Sequence, residues 1–285
     1  GESMGACGVQ RQGPIKREQQ ADIRALLSHG RNTSVAQADH MSASGVSARC
    51  RATTQTNKGR IVPKGEGDQN LDYVGPGVFL AIPYYGYARQ DKRFSPGETI
   101  SARVISDILG KVCDGMVILD LHEPKVLEDC DFPVKFVSSM PEIAERLKED
   151  VDPDFILSPD KGAIDRASEV ASIGGWEFSY LEKTRIDAHT IEHQAKDLDV
   201  KGKVVAIVDD MISTGGTICR ASDALRRQGA KSVYAACTHG LFTGGALSKL
   251  ASHVDGVYTT DSLRNPRSVV SSAPALARGL RELME

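Results

Sequence analysis

Aromatic side chains are scarce in this 285-residue chain, which has seven Phe, seven Tyr and one Trp. None precedes Tyr73. Residues 30–70 are rich in Ser, Thr, Gln, Asn, Gly and Arg, with single scattered apolar residues. Such a stretch buries little apolar surface against the entropy of ordering it, so no secondary structure is assigned there. Ahead of Tyr73 only the run from Ile23 to Leu27 hints at a helix. An excess of one charge is also missing. Lys and Arg total 35 against 38 Asp and Glu, a formal charge of −3. That balance gives no nucleic-acid footprint and no polybasic membrane signal. An anion site must therefore be local, built by a few side chains and backbone N–H groups. No stretch nears the ~18 consecutive apolar residues of a membrane span. The N-terminus has no charged-then-apolar leader pattern, and a cytoplasmic protein is expected. The six cysteines, Cys7, Cys50, Cys113, Cys130, Cys219 and Cys237, form no C-x-x-C pair and fit no zinc spacing. Cys113, Cys219 and Cys237 sit in or beside apolar runs and read as buried free thiols of a reducing compartment.

From Gly77 the pattern becomes regular. Residues 78–82 are a short apolar run stopped by Pro83, the mark of a buried strand. A polar, Gly-rich loop follows as far as Gly97. Ile100, Val104, Ile105, Ile108 and Leu109 then recur at helical spacing, with Gly110 as the stop. Further strands are expected at 116–121, 155–157, 178–181, 204–208 and 233–237. Helices are expected at 142–150, 163–171, 216–227 and 274–285. This alternation argues for an α/β fold with parallel, doubly wound sheets and ligands at the carboxyl ends of the strands. Two such units are expected, joined within 137–142.

The most informative segment runs from Val204 to Thr217. An apolar strand leads into Asp209 and Asp210, then a loop of small and hydroxyl residues, Ser213-Thr214-Gly215-Gly216-Thr217, then a helix. Loop and helix N-terminal N–H groups point at an anion. Gly215 and Gly216 allow close backbone approach, and Ser213, Thr214 and Thr217 add hydroxyl donors. Asp209 and Asp210 can accept from sugar hydroxyls or contact a cation bound to them. No Gly-Lys-Ser/Thr ending is present, so this is not a Walker loop. The stretch resembles the phosphoribosyl-binding motif shared by phosphoribosyltransferases and phosphoribosyl pyrophosphate synthetases. The resemblance implies that Asp209, Asp210, Ser213, Thr214, Gly215, Gly216 and Thr217 bind ribose 5-phosphate.

Upstream segments separate those two families. The loop after Pro83 contains Arg89-Gln90-Asp91-Lys92-Arg93-Phe94 and concentrates positive charge, as a triphosphate requires. It is similar to the ATP-binding segment of phosphoribosyl pyrophosphate synthetases, that is, of the ribose-phosphate pyrophosphokinase family, and simple transferases lack it. The resemblance implies that Arg89 and Gln90 contact ATP, with Asp91 and Lys92 nearby. Asp120-Leu121-His122 resembles the context in which this family places a metal-contacting His. Ser158-Pro159-Asp160-Lys161-Gly162-Ala163 resembles its Ser-Pro-Asp-x-Gly-Gly segment. His122 and Asp160 are thereby implied as ligands of Mg²⁺, which favours hard oxygen donors and keeps waters and substrate phosphates in its shell. Ala163 replaces the second Gly, which would carry strain if a positive φ were needed. Lys183 and Arg185 match the Lys-x-Arg pair that the family carries on a mobile loop closing over the reacting phosphates. They are the implied stabilisers of the transition state.

The resemblance implies two phosphoribosyltransferase-type doubly wound domains with mainly parallel sheets. Residues 73–138 would be the ATP-binding part of the first, and 139–285 a ribose-5-phosphate-binding second domain. Residues 1–72 do not match; the family's Arg-x-Pro-Asp-Gly-Glu loop is absent, and Pro63-Lys64-Gly65-Glu66 does not replace it. That segment reads as divergent and disordered, as mis-framed, or as the sign of an inactive regulatory relative. The implied activity is transfer of diphosphate from Mg·ATP to ribose 5-phosphate by a homo-oligomer without nucleic-acid or membrane partners. A phosphoribosyltransferase is the rival enzyme.

Overall fold

The computed structural model describes residues 34–39, 49–52, 78–185, 191–194 and 198–285, with 34–39, 49–52, 182–185 and 191–194 described by backbone alone. Cys7, the 23–27 helix and the 63–66 segment lie outside the described residues. Five strands form the first sheet: β1 (Ser34–Asp39), β2 (Arg49–Ala52), β3 (Val78–Ile82), β4 (Gly115–Leu119) and β5 (Val134–Val137). Their order is β2-β1-β3-β4-β5, parallel except for the β1–β2 pair. Helix α1 (Ser101–Leu109) covers one face, where Leu80, Ile82, Met116 and Ile118 pack with Ala102. Strands β1 and β2 lie in the segment to which the composition assigned no structure. Composition measures apolar burial, whereas β1 pairs with β3 from Ser34↔Val78 to Gln37↔Ala81. It thus satisfies an edge whose backbone groups would otherwise be unpaired.

The chain then passes through α2 (Met140–Asp150), β6 (Phe155–Ser158), α3 (Ile164–Gly174) and β7 (Glu177–Tyr180). An antiparallel hairpin follows, β8 (Glu182–Arg185) with β9 (Ile191–Gln194). Next come β10 (Val204–Ile212), α4 (Gly216–Arg227), β11 (Ser232–Gly240), the short α5 (Ala246–Leu250), β12 (Gly256–Thr260), β13 (Ser268–Val270) and α6 (Ala273–Met284). The second sheet is wholly parallel, in the order β13-β12-β11-β10-β6-β7. Alternation along its strands sends Leu157, Val205, Ile207 and Ala235 toward α4, and Ile156, Ala206, Val208 and Ala236 toward α2 and α3. The α/β class with doubly wound, mainly parallel sheets is therefore as expected. Cys113, Cys219 and Cys237 are buried thiols without disulfide partners.

Strand β10 does not stop at Val208. It continues to Ile212, because β11 runs beside it and pairs Met211 with His239 and Ile212 with Gly240. On the other side β6 leaves the ladder at Leu157↔Ile207. The two carboxylates thus stand on a strand that outruns one neighbour.

Helix α6 returns to the first sheet. Ala275, Leu276 and Leu280 pack on Ala81, Val117 and Leu119, covering the face opposite α1. Gly279 permits this approach: a Cβ there would lie 2.5 Å from Val137 Cγ1 and 2.6 Å from Val117 Cγ1. Those neighbours are β-branched and stiff. Gly279→Ala would gain about 1 kcal/mol of helix propensity, but overpacking costs roughly 1–3 kcal/mol. We expect a net loss, read as a lower urea midpoint; a higher midpoint would mean that β4 and β5 yield.

Candidate active site

The residues that follow β4 touch the carboxyl ends of β10 and β11. Asp120 takes φ +42°, a region that Asp tolerates better than most residues. Its Oδ2 accepts from Ser139 N at 2.9 Å, Ser139 Oγ at 2.6 Å and Thr238 Oγ1 at 2.7 Å, and Asp120 and both partners are buried. Beside it lies the His239 ring, which bonds the Asp120 backbone carbonyl and the Ser262 hydroxyl and meets the edge of Tyr84, 5.0 Å between centroids. Burial pulls the His239 imidazole below its ordinary pKa.

Two residues further on, His122 turns its Nδ1 to Asp210 Oδ2 at 2.5 Å. Asp210 is buried, whereas the His122 side chain is 36% exposed. Arg166 of α3 donates to the carbonyls of Leu121 at 2.8 Å and His122 at 3.4 Å, fixing the turn that presents the imidazole. The hydrogen bond to Asp210 pushes His122 above its ordinary pKa against its burial. Burial would raise Asp210, but the bond to His122 and the Arg166 charge outweigh it and hold Asp210 below the usual carboxylate range. Asp209 is pushed the other way by its own burial and by the Asp210 charge; its Oδ1 accepts from Asp210 N at 2.8 Å. The adjacent carboxyls are thus pushed in opposite directions.

Of the other expected site residues, Asp160 and Arg89 are shown near this pair. Asp160 caps the turn Lys161–Ala163 by accepting from Gly162 N at 2.9 Å, and its charge reaches Asp209. Ala163 has φ −104°, so the departure from glycine carries no strain. Arg89 lies near enough to His122 and Tyr84 to act on both electrostatically. Gln90 accepts from Ser101 Oγ at 2.6 Å and so ties the loop to the start of α1. Asp91 is half-buried, while Lys92 turns to the exposed Phe94 ring, 5.6 Å from its centroid. Gly215 takes φ +71° and precedes α4, which has no side-chain cap and no acidic residue in its first turn. Ser213 Oγ lies 3.0 Å from Thr243 Oγ1, Thr214 is exposed, and Thr217 is half-buried. The side chains of Lys183 and Arg185 lie outside the described residues; their backbone pairs with His193 and Ile191. Among the described residues no three His, Cys, Asp or Glu side chains converge on a metal position.

Sequence reasoning assigned no role to Asp120, Arg166 or His239, and offered Tyr84 only as part of a nucleotide pocket. Asp120 stood inside a quoted motif and Arg166 three residues beyond one, whereas His239 carried no local signal.

Comparison with known proteins decides the family. A model of the N-terminal domain of ribose phosphate pyrophosphokinase matches residues 77–112, and a phosphoribosyl transferase domain model matches 136–271. The ribose-phosphate pyrophosphokinase of Methanopyrus kandleri is 43% identical over 209 residues, 72% of each chain. The chain belongs to the ribose-phosphate pyrophosphokinase family. The Pyrococcus furiosus member is 42% identical over 199 residues, 69% of this chain and 71% of that one. The crystal structure of phosphoribosylpyrophosphate synthetase from Mycobacterium smegmatis superposes with TM-score 0.64 at 34% identity, covering 74% of this chain and 72% of that one. Membership makes this pyrophosphokinase-family chain an enzyme that transfers diphosphate groups. No helix among the described residues is long and apolar enough to cross a membrane.

Proposed function

We propose that the chain moves the terminal diphosphoryl group of ATP to the C1 hydroxyl of ribose 5-phosphate, giving phosphoribosyl pyrophosphate and AMP. The C1 oxygen attacks the β-phosphorus, the bond from that phosphorus to the α,β-bridging oxygen breaks, and AMP leaves with that oxygen. The observation that carries the proposal is the 2.5 Å contact of His122 with Asp210. It joins the end of a strand in the first sheet to the strand of the second that leads into the sugar-phosphate loop, so one site serves both substrates.

In this reading residues 73–138 take ATP through Arg89, Gln90, Asp91 and Lys92, and residues 139–285 take ribose 5-phosphate. Asp209 and Asp210 face the sugar hydroxyls, and Ser213, Thr214, Gly215, Gly216 and Thr217 receive the phosphate. The Asp160 carboxylate is a hard oxygen donor of the kind Mg²⁺ favours, and the ion needs only one or two protein groups when substrate phosphates complete its shell. His122, its Nδ1 held by a carboxylate as metal-ligating imidazoles usually are, and Asp160 would hold it. Bound there, Mg²⁺ would neutralise polyphosphate charge. Lys183 and Arg185 would add positive charge where it develops in the transition state, which is the main demand of phosphoryl-type transfer. The family resemblance further supports a cytoplasmic homo-oligomer.

The test is AMP release from ATP and Mg²⁺ by the full chain, with and without ribose 5-phosphate. We expect release only with the sugar phosphate, in equal yield with phosphoribosyl pyrophosphate. Sugar binding without AMP release would overturn the proposal in favour of a regulatory relative.

A further inference from the structure

Beside the proposed sugar-phosphate loop stand two cations that neither the sequence motifs nor the catalytic proposal uses. A Cβ placed on Gly216 would lie 3.4 Å from Arg220 Nη1, 3.7 Å from Thr214 Oγ1 and 3.8 Å from Lys249 Nζ. The three nearest atoms are thus all hydrogen-bond donors. Arg220 comes from α4 itself, one turn beyond the loop. Lys249 comes from α5, whose Leu250 packs 3.2 Å from the Cβ position of Gly215 and so seats α5 against the loop. Two separate elements therefore bring a guanidinium and an ammonium to one point. Neither forms an ion pair with a described side chain. The first turn of α4 supplies no acidic residue to balance them. Both side chains are exposed, and the Asp223 carboxylate acts with them on the neighbouring Cys219; water screens their mutual repulsion in part, and an anion between them would relieve the rest. Gly216 also begins α4, and the N-terminal N–H groups of that helix favour negative charge.

We infer that Lys249 and Arg220 bind the 5′-phosphate of the sugar substrate and set the preference for phosphorylated over free ribose. The inference rests on the reading of Ser213–Thr217 as the sugar-phosphate loop and names the residues that discriminate there. Arg220 offers a fork that matches two phosphate oxygens, and Lys249 a point charge on a flexible stem. The loop N–H groups alone hold any oxyanion; the two added charges select a dianion.

The experiment measures AMP release by full-length Lys249→Met, Arg220→Met and the double variant at saturating ATP and Mg²⁺. Charge-assisted hydrogen bonds of this kind correspond to about a tenfold effect each. We expect the KM for ribose 5-phosphate to rise about tenfold in each single variant and about a hundredfold in the double. The preference over free ribose should fall by the same factors, the KM for ATP should hold within about twofold, and Lys249→Arg should restore most of the loss. Gly216→Val, which fills the space in front of the loop, separates this inference from the reading beneath it. If Gly216→Val raises the KM for ribose 5-phosphate and the double variant does not, the loop is the site and the cations have no part in it. If neither raises it, the loop reading fails as well. A parallel rise in the KM for ATP would mark general structural damage and would also overturn the inference.

Discussion

Asp210→Asn is expected to lower kcat/KM for ribose 5-phosphate by about a hundredfold, the upper end of what losing the carboxylate partner of a functional imidazole costs. Asp210 is buried, with its Oδ2 2.5 Å from His122 Nδ1 and the Arg166 charge beside it. Asparagine fits the same space but removes the negative charge. The imidazole then loses the charge that favours its protonated ring, and an amide that offers either its oxygen or its NH2 no longer fixes which ring nitrogen carries the proton. Arg166 still grips the Leu121 and His122 carbonyls, so the turn stays in place and the loss falls on chemistry. Asp209→Asn is the comparison. Its carboxyl bonds Asp210 N and the Asp210 side chain, and an Asn amide can keep both bonds. It should cost about tenfold less than Asp210→Asn. Both rates are read as AMP formation, with a thermal melt to show that each variant is folded. Asp210→Asn within threefold of the unaltered enzyme would reduce the pair to a structural contact.

The sequence made the second sheet's central strand and its loop legible, because Val204–Val208 is an unbroken apolar run and Ser213–Thr217 an unusual cluster of small donors. It did not show where β10 ends. Asp209 and Asp210 interrupt the apolar signal, yet β11 carries the ladder on to Gly240. Short elements escaped for the same reason: β5, β13 and α5 span four, three and five residues, too few for a period to emerge. The closing helix was legible as amphipathic, but not the sheet it covers; that depends on Gly279 meeting Val117 and Val137, two contacts far away in sequence. The candidate site divides in the same way. Asp120, His122, Asp160, Asp209 and Asp210 lie in contiguous motifs. Their convergence does not, since His122 and Asp210 are 88 residues apart and Asp120 and Thr238 are 118 apart. Lys249 belongs to no motif and becomes visible only through the space it borders.

Asp120→Ala should be among the most destabilising substitutions in the described fold. One buried oxygen, Asp120 Oδ2, takes three donors from Ser139 and Thr238. Ser139 joins the two sheets in the chain, and Thr238 lies in the second, so this carboxylate fastens one sheet to the other next to the turn that presents His122. When it is removed, the Ser139 and Thr238 hydroxyls can still bond each other across 2.9 Å. The Ser139 backbone N–H is the donor left without a partner, at a cost of about 1–3 kcal/mol. Alanine must also keep φ +42°, which adds on the order of 1 kcal/mol without a side chain that stabilises the left-handed region. A loss of roughly 3 kcal/mol follows, which lowers the melting temperature by about 6–12 °C in a protein of this size. Asp120→Asn separates the two causes. It tolerates positive φ and keeps an acceptor for Ser139 N, so it should lose no more than about a third of that stability. If Asn melts as low as Ala, charge rather than hydrogen bonding holds the junction. If Ala melts within 2 °C of the unaltered chain, the sheets are fastened by apolar packing and Asp120 serves only to shape the turn that presents His122.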